Sequence, residues 1–340
     1  MQRREFLAGL AAAGATALIP DILKGAQTRP SPTAPPHRID VHYHGNSPGF
    51  IAAIKAHNTG QTALMNWTPA KALEDMDRDG VATSIMSTSE PSVYFGDAAA
   101  ARALARECND YAARLVADHP ARFGMFATLP LPDVDGTLRE IEYAFDTLKA
   151  DGVCFMSSYE GKYLGDPMFA PVMDELNRRK AVAYTHPFRG AMINILPDNR
   201  ALGITLSTET TVTIQSILYT GTATRCPDIR FIWSHGGGTA PYITGRLGAA
   251  IGPDGKPNAN LAAMQKFYYD TAQAFNEYTL PTFTKVVPMS HMLFGTDYPF
   301  AQAGTVAKGL ADYHFMPADL RAIERDNALE LFPRLTGRSA

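Results

Sequence analysis

A (β/α)8 barrel is the fold class this sequence predicts, and three observations predict it. Eight short apolar segments rich in β-type residues recur along a chain of 340 residues. Longer amphipathic segments separate them, which is the alternation of a parallel sheet covered by helices. The turn after the first strand reads His42-Tyr43-His44-Gly45, where a doubly wound open sheet, the rival architecture, would carry a Gly-rich phosphate loop.

Taken in order, residues 1–26 read as an export leader. Arg3-Arg4-Glu5-Phe6-Leu7 opens a short polar start, an apolar Ala/Gly-rich run follows to Ile19, and Pro20 and small residues close it. The run is too short to span a bilayer. Its paired arginines resemble the twin-arginine signal of bacteria, which implies passage of a folded protein through the twin-arginine machinery to the periplasm. An uncleaved anchor is the alternative. Residues 27–36, with Pro30, Pro32, Pro35 and Pro36, form an extended linker. A single barrel domain is expected over residues 37–335.

Strands are expected at 38–42, 82–87, 123–128, 152–155, 181–185, 230–233, 267–269 and 292–294. Helices are expected at 69–79, 98–118, 134–150, 171–180, 208–221 and 317–331. In the first helix Ala72, Leu73 and Met76 share one face, with Lys71, Glu74, Asp75 and Arg78 around the other. Proline enters its first turn and Gly80 stops it. Three connections are long, at 43–68, 186–207 and 247–266, and such insertions build the wall of a pocket.

Composition narrows the function. With 31 basic and 34 acidic side chains the formal net charge is −3, so there is no electrostatic reason to expect nucleic acid or an anionic membrane as partner. Cys108, Cys154 and Cys226 are widely spaced without a CxxC, which excludes a disulfide framework and a thiolate zinc site.

The chemistry concentrates at strand ends. Alternation along Asp40-Val41-His42-Tyr43-His44 puts Asp40, His42 and His44 on one face, and imidazoles about 6–7 Å apart along a strand can chelate one ion. His186 closes the fifth strand, His235 the sixth in Ser234-His235-Gly236-Gly237-Gly238, and Asp297 the eighth in Gly295-Thr296-Asp297-Tyr298-Pro299. In a barrel, His42, His44, His186, His235 and Asp297 project into one bowl at the C-terminal face. His37, His57, His119, His291 and His314 have no strand-end setting and are assigned no chemistry.

These motifs, DxHxH, THP, SHGGG and GTDYP in order, resemble the amidohydrolase superfamily over residues 38–331. Within it they are similar to the amidohydrolase-related branch of aminocarboxymuconate-semialdehyde and methylsalicylate decarboxylases. The resemblance implies that His42, His44, His186 and Asp297 bind a metal while His235 stays free to move a proton. Hydrolytic superfamily members often bridge two metals with a strand-four lysine; here that strand ends Val153-Cys154-Phe155-Met156, and Lys162 lies beyond it, so one metal is expected. Three imidazoles and a carboxylate suit Zn2+, with Mn2+ or Fe2+ compatible.

Asn66-Trp67-Thr68-Pro69 and Ser84-Ile85-Met86-Ser87 are similar to decarboxylases of small aromatic acids. The reaction expected is nonoxidative loss of CO2 from an aromatic or cyclic carboxylic acid, with His235 and Asp297 as the catalytic pair. Hydrolysis of a lactone, amide or ester at one metal is the alternative, because it needs the same ligands. Arg246 and Arg189 are the candidates for gripping the substrate carboxylate. Phe50, Trp67, Phe188 and Tyr298 are candidates for an aromatic wall, and Asp40 and Asp270 for support behind the ligands. The resemblance also implies a homodimer.

Overall fold

The computed structural model describes residues 37–189, 196 and 200–336. The leader and linker read at 1–36 lie outside the described residues.

Eight parallel strands follow one another around the sheet in chain order: β1 (Arg38–His44), β2 (Val81–Ser87), β3 (Phe123–Thr128), β4 (Gly152–Met156), β5 (Val182–His186), β6 (Arg230–Trp233), β7 (Tyr268–Asp270) and β8 (Met292–Leu293). The order has no reversal, so the doubly wound alternative does not hold. Beyond β8 the chain returns to β1. Val41 N donates to Phe294 O at 3.0 Å, Asp297 N to His42 O at 2.9 Å and His44 N to Tyr298 O at 2.9 Å, which closes the barrel. That seam matters for function, because three of its residues belong to the site. From β2 to β5 every strand residue is buried, as expected where helices cover the outer face of a parallel sheet.

The helices form where the capping signals stand. The Thr68 side chain accepts from Lys71 N at the start of Pro69–Asp79, and Gly80 ends it in the left-handed conformation, φ 72°. Ala72 and Met76 are buried there as the periodicity requires. Asp75, on the side read as polar, is buried too, because its Oδ2 accepts from Tyr298 OH at 2.8 Å. Asp97 caps Ala98–Asp118 and Asp133 caps Val134–Glu142. The latter was expected to run to 150; instead it widens into a π-turn at Tyr143–Thr147, with Leu148 N bonded to Tyr143 O, and Lys149 at φ 59° ends it. The helix expected at 208–221 begins earlier, spanning Leu202–Tyr219.

Among the described residues the long connection after β1 carries two short helices, Pro48–Ala56 and Thr62–Met65. Phe50, Ile54 and Leu64 from it pack with Val93, Ala101, Ala105 and Cys108 in a satellite core beside the main one. Cys108, Cys154 and Cys226 are all buried free thiols.

Candidate metal centre and active-site cavity

At the end of β1 the pairing register with β2 shifts between Asp40 and Tyr43. His42 and His44 are both fully buried there. Asp40 locks this segment to the seam: its Oδ1 accepts from His42 N at 3.0 Å and Thr296 N at 3.1 Å, and its Oδ2 from Thr296 Oγ1 at 2.6 Å. Burial lifts the Asp40 carboxyl to a pKa of about 7 despite these donors. The next residue, Asp297, has φ 68° and His235 has φ 53°, both in the left-handed region. Non-glycine residues held there are strained, and strain of this kind gathers at functional sites.

His42, His44, His186 and Asp297 offer one ligand atom each, all within 4.8 Å of one another. Each imidazole is anchored through Nδ1 and leaves Nε2 to the centre. His42 Nδ1 donates to Asp270 Oδ2 at 2.8 Å, His44 Nδ1 lies 3.3 Å from Ser87 Oγ, and His186 Nδ1 donates to Pro187 O at 2.9 Å. Anchoring of one ring nitrogen selects the tautomer that presents the other. Asp297 Oδ1 lies 3.1 Å from Nε2 of His42, 3.1 Å from that of His44 and 3.9 Å from that of His186. Its Oδ2 lies 3.1 Å from His235 Nε2.

Electrostatics fit a cation at this point. Burial lowers the pKa of His44, and that of His186 to about 3, which favours the neutral form of imidazole that a metal takes as ligand. Burial opposes charge on His42 as well, but the carboxylates of Asp270 and Asp297 raise its pKa overall. Burial likewise opposes the Asp297 charge, which His42 and the other histidines hold well below the usual range. His42 Nε2, though close to Asp297, has no hydrogen-bond partner among the described residues. Two buried carboxylates and an orphaned buried nitrogen favour positive charge here, and the three imidazoles and one carboxylate suit one divalent cation, which would supply it.

Asp270 does two jobs. Besides orienting His42, its Oδ1 accepts from His235 N at 2.9 Å and Ala272 N at 3.0 Å, so it also sets the turn that carries His235. Gly236, Gly237 and Gly238 continue that turn at positive φ. A Cβ at Gly238 would stand 2.2 Å from the carbonyl oxygen of Ser207, which explains why glycine is required there.

A cavity of about 600 Å³ opens above the centre, with His186, His235 and Asp297 in its wall. Its aromatic members are Tyr242, Tyr278, Phe283 and Phe300. The four aromatics expected from the sequence are elsewhere. Phe50 sits in the satellite core, Trp67 in the main core, and Phe188 packs against that core. Tyr298 stacks on Tyr43 at 4.5 Å. Arg246 is exposed in the turn Thr244–Leu247 and is not among the residues lining the cavity, because successive tight turns from Thr239 onward bring Pro241 and Tyr242 to the cavity instead. Arg189 does line it, but ion-paired to Glu90 rather than free. Glu90 was missed, although it stands three residues past the end of β2, where the strand-end logic would have found it. None of His37, His57, His119, His291 and His314 lines the cavity. Lys162 is exposed in the hairpin beyond β4 and is not among the residues lining the cavity.

Comparison with known proteins agrees with this geometry. The amidohydrolase family profile matches residues 39–334. The chain is 35% identical over 323 residues to the decarboxylase yanB of Aspergillus niger, covering 87% of this chain and 88% of that one. It is 35% identical over 324 residues to the 6-methylsalicylic acid decarboxylase acuB of Aspergillus aculeatus, covering 88% and 96%. A dihydroxybenzoic acid decarboxylase from Polaromonas, solved with manganese and the inhibitor 2-nitroresorcinol, shares the fold with a TM-score of 0.74 at 22% identity, covering 89% and 98%. With its family profile matched over residues 39–334, nearly the whole barrel, the chain belongs to the amidohydrolase family.

Proposed function

We propose that this protein is a metal-dependent nonoxidative decarboxylase of a small aromatic carboxylic acid. The observation that carries the reading is Asp297, which presents one oxygen to the three histidines and the other to His235 on the wall of the same cavity. The relatives at 35% identity are named decarboxylases. A bound divalent cation supplies Lewis acidity toward substrate oxygens. His235 holds a proton against Asp297 Oδ2 and delivers it to the ring carbon that bears the carboxylate. The C–C bond then breaks, its electron pair returns to the ring and CO2 leaves. Imidazole suits this transfer because its proton is exchangeable near neutral pH. Asp270 keeps His235 and His42 in register, and Leu202, Leu206 and Phe283 give the cavity an apolar wall for the ring.

Zn2+ is our choice of metal on ligand type, three imidazoles and one carboxylate. Mn2+, the metal of the Polaromonas relative, is the competitor. The export reading rests on Arg3-Arg4-Glu5-Phe6-Leu7 itself; replacing both arginines by lysine should hold the full chain in the cytoplasm of a bacterial host. A homodimer completes the proposal and is tested by sedimentation.

The deciding experiment measures bound metal and CO2 release together, on 6-methylsalicylate, 2,6-dihydroxybenzoate and muconate-like acids, with His235→Ala as control. About one metal per chain and CO2 release lowered about 10²–10⁴-fold in the variant is the expected result. Metal without CO2, but with cleavage of lactones or esters, would replace the reading by hydrolysis.

A further inference from the structure

The carboxylate of Glu90 is the meeting point of three of the barrel's C-terminal connections. Its Oε2 accepts from the backbone N–H of Arg189 at 3.0 Å, and its Oε1 accepts from Arg189 Nε and from Gln61 Nε2, the latter at 3.2 Å. Gln61 belongs to the connection after β1, Glu90 to that after β2 and Arg189 to that after β5. All three line the cavity, and Glu90 is only 6% exposed. Among the described lining residues Arg189 is the one lysine or arginine. Its bonds to Glu90 use the backbone nitrogen and Nε, and both terminal guanidinium nitrogens are without a hydrogen-bond partner among the described residues. A guanidinium held at Nε keeps two parallel N–H groups, the geometry that binds a carboxylate in bidentate fashion.

From this arrangement we infer that Glu90 is a positioning residue for substrate recognition: it fixes Arg189 so that the two terminal nitrogens are presented to the substrate carboxylate. The inference deepens the decarboxylase reading and rests on its aromatic-acid substrate. A buried acid beside the one lysine or arginine among the described residues of a cavity that must receive an anion is costly unless it organises that cation, because a free Arg189 would attract the anion more strongly. The gain is orientation: a carboxylate held by Arg189 fixes the ring relative to His235, which lines the same cavity.

The test uses the metal-loaded full chain and two probes, salicylate and phenol, which differ only by the carboxylate. Binding is measured by calorimetry, and CO2 release is measured separately on 6-methylsalicylate. Arg189→Gln should weaken salicylate about 10-fold or more and leave phenol within 2-fold. Arg189→Lys should behave like Arg189→Gln, since an ammonium cannot be held at one nitrogen while offering two others in a plane. Glu90→Gln should raise KM several-fold with kcat nearly unchanged, and the Glu90→Gln/Arg189→Gln double variant should be no worse than Arg189→Gln alone. Unfolding temperature and metal content confirm that each variant is intact; if Glu90→Gln does not fold, the Arg189→Lys comparison decides. The inference is overturned by equal losses for salicylate and phenol, by full rescue with lysine, by additive losses, or by failure of the wild type to bind salicylate. Salicylate binding that depends on Arg189 and Glu90 without any CO2 release would instead overturn the decarboxylase reading and leave this one standing.

Discussion

The Asp270 carboxylate, at the end of β7, joins His42 and His235, residues of two other strand ends: Oδ2 is 2.8 Å from His42 Nδ1 and Oδ1 is 2.9 Å from His235 N. A single buried acid thus orients the proposed ligand His42 and places His235, the proposed proton carrier. Asp270→Asn keeps the shape but loses the charge that favours His42 as a ligand through Nε2. Metal affinity should fall about 10–100-fold, measured by competition with a chromophoric chelator, while the folded state persists. Unchanged affinity would mean that Asp270 serves the turn alone.

Removal of the metal should destabilise the fold as well as stop turnover. Asp270 and Asp297 are both buried against His42, and without a cation their charges are met only by protons. Metal at about 100 times its Kd stabilises by about 2.7 kcal/mol through mass action. Scanning calorimetry before and after chelation should therefore show a clear fall in Tm, reversed by Zn2+ or Mn2+. The ion that restores more CO2 release identifies the working metal. An unchanged Tm would remove the four residues from consideration as ligands.

Much of this was legible in the sequence because the signal is local. A strand of apolar residues followed at once by His186, His235 or Asp297 places those side chains at one end of a parallel barrel before any tertiary contact is known. What was not legible is the distant partner of each such residue. Asp270 was expected as support behind the ligands and Glu90 stands near a strand end, but Asp270 meets His42 across 228 positions and Glu90 meets Arg189 across 99, and no periodicity reports such partners. Arg246 failed for a related reason. Its distance in sequence from His235 suggests proximity, but the glycine turns between them carry it to the exposed surface. The aromatic wall was misplaced because Trp67 and Phe50 are large apolar residues whose burial in a core is energetically sufficient reason for their presence.

Gly238 offers a test of the turn beneath His235. Its backbone is at φ 65°, ψ −126°, and a Cβ would meet both the Ser207 carbonyl oxygen at 2.2 Å and Thr211 Oγ1 at 2.9 Å. Ser207 and the following Thr239 both line the cavity. Gly238→Ala should cost about 1–3 kcal/mol in urea unfolding and lower kcat/KM together with it. A stable and fully active variant would show that the helix Leu202–Tyr219 yields more readily than its packing suggests.

The last expectation concerns acid. Glu324, 5% exposed, accepts from His37 Nε2 at 2.8 Å and Arg38 Nε at 2.7 Å, tying the start of β1 to the C-terminal helical segment. Burial alone would raise its pKa, but the His37 hydrogen bond and the Arg38 charge outweigh burial and hold it below the ordinary 4.5. A carboxylate with a depressed folded-state pKa binds its proton less readily in the folded chain than in the unfolded one. Its contribution to stability is therefore complete above the unfolded value of about 4.3 and is lost as pH falls through the lower folded value. Glu324→Gln should be less stable than wild type by about 1–3 kcal/mol at pH 6–7. The gap should narrow steadily below about pH 4 as the wild-type carboxylate takes up its proton. Urea unfolding of both proteins across this range measures it. A gap that stays constant with pH would show that the glutamate acts by packing and not by charge.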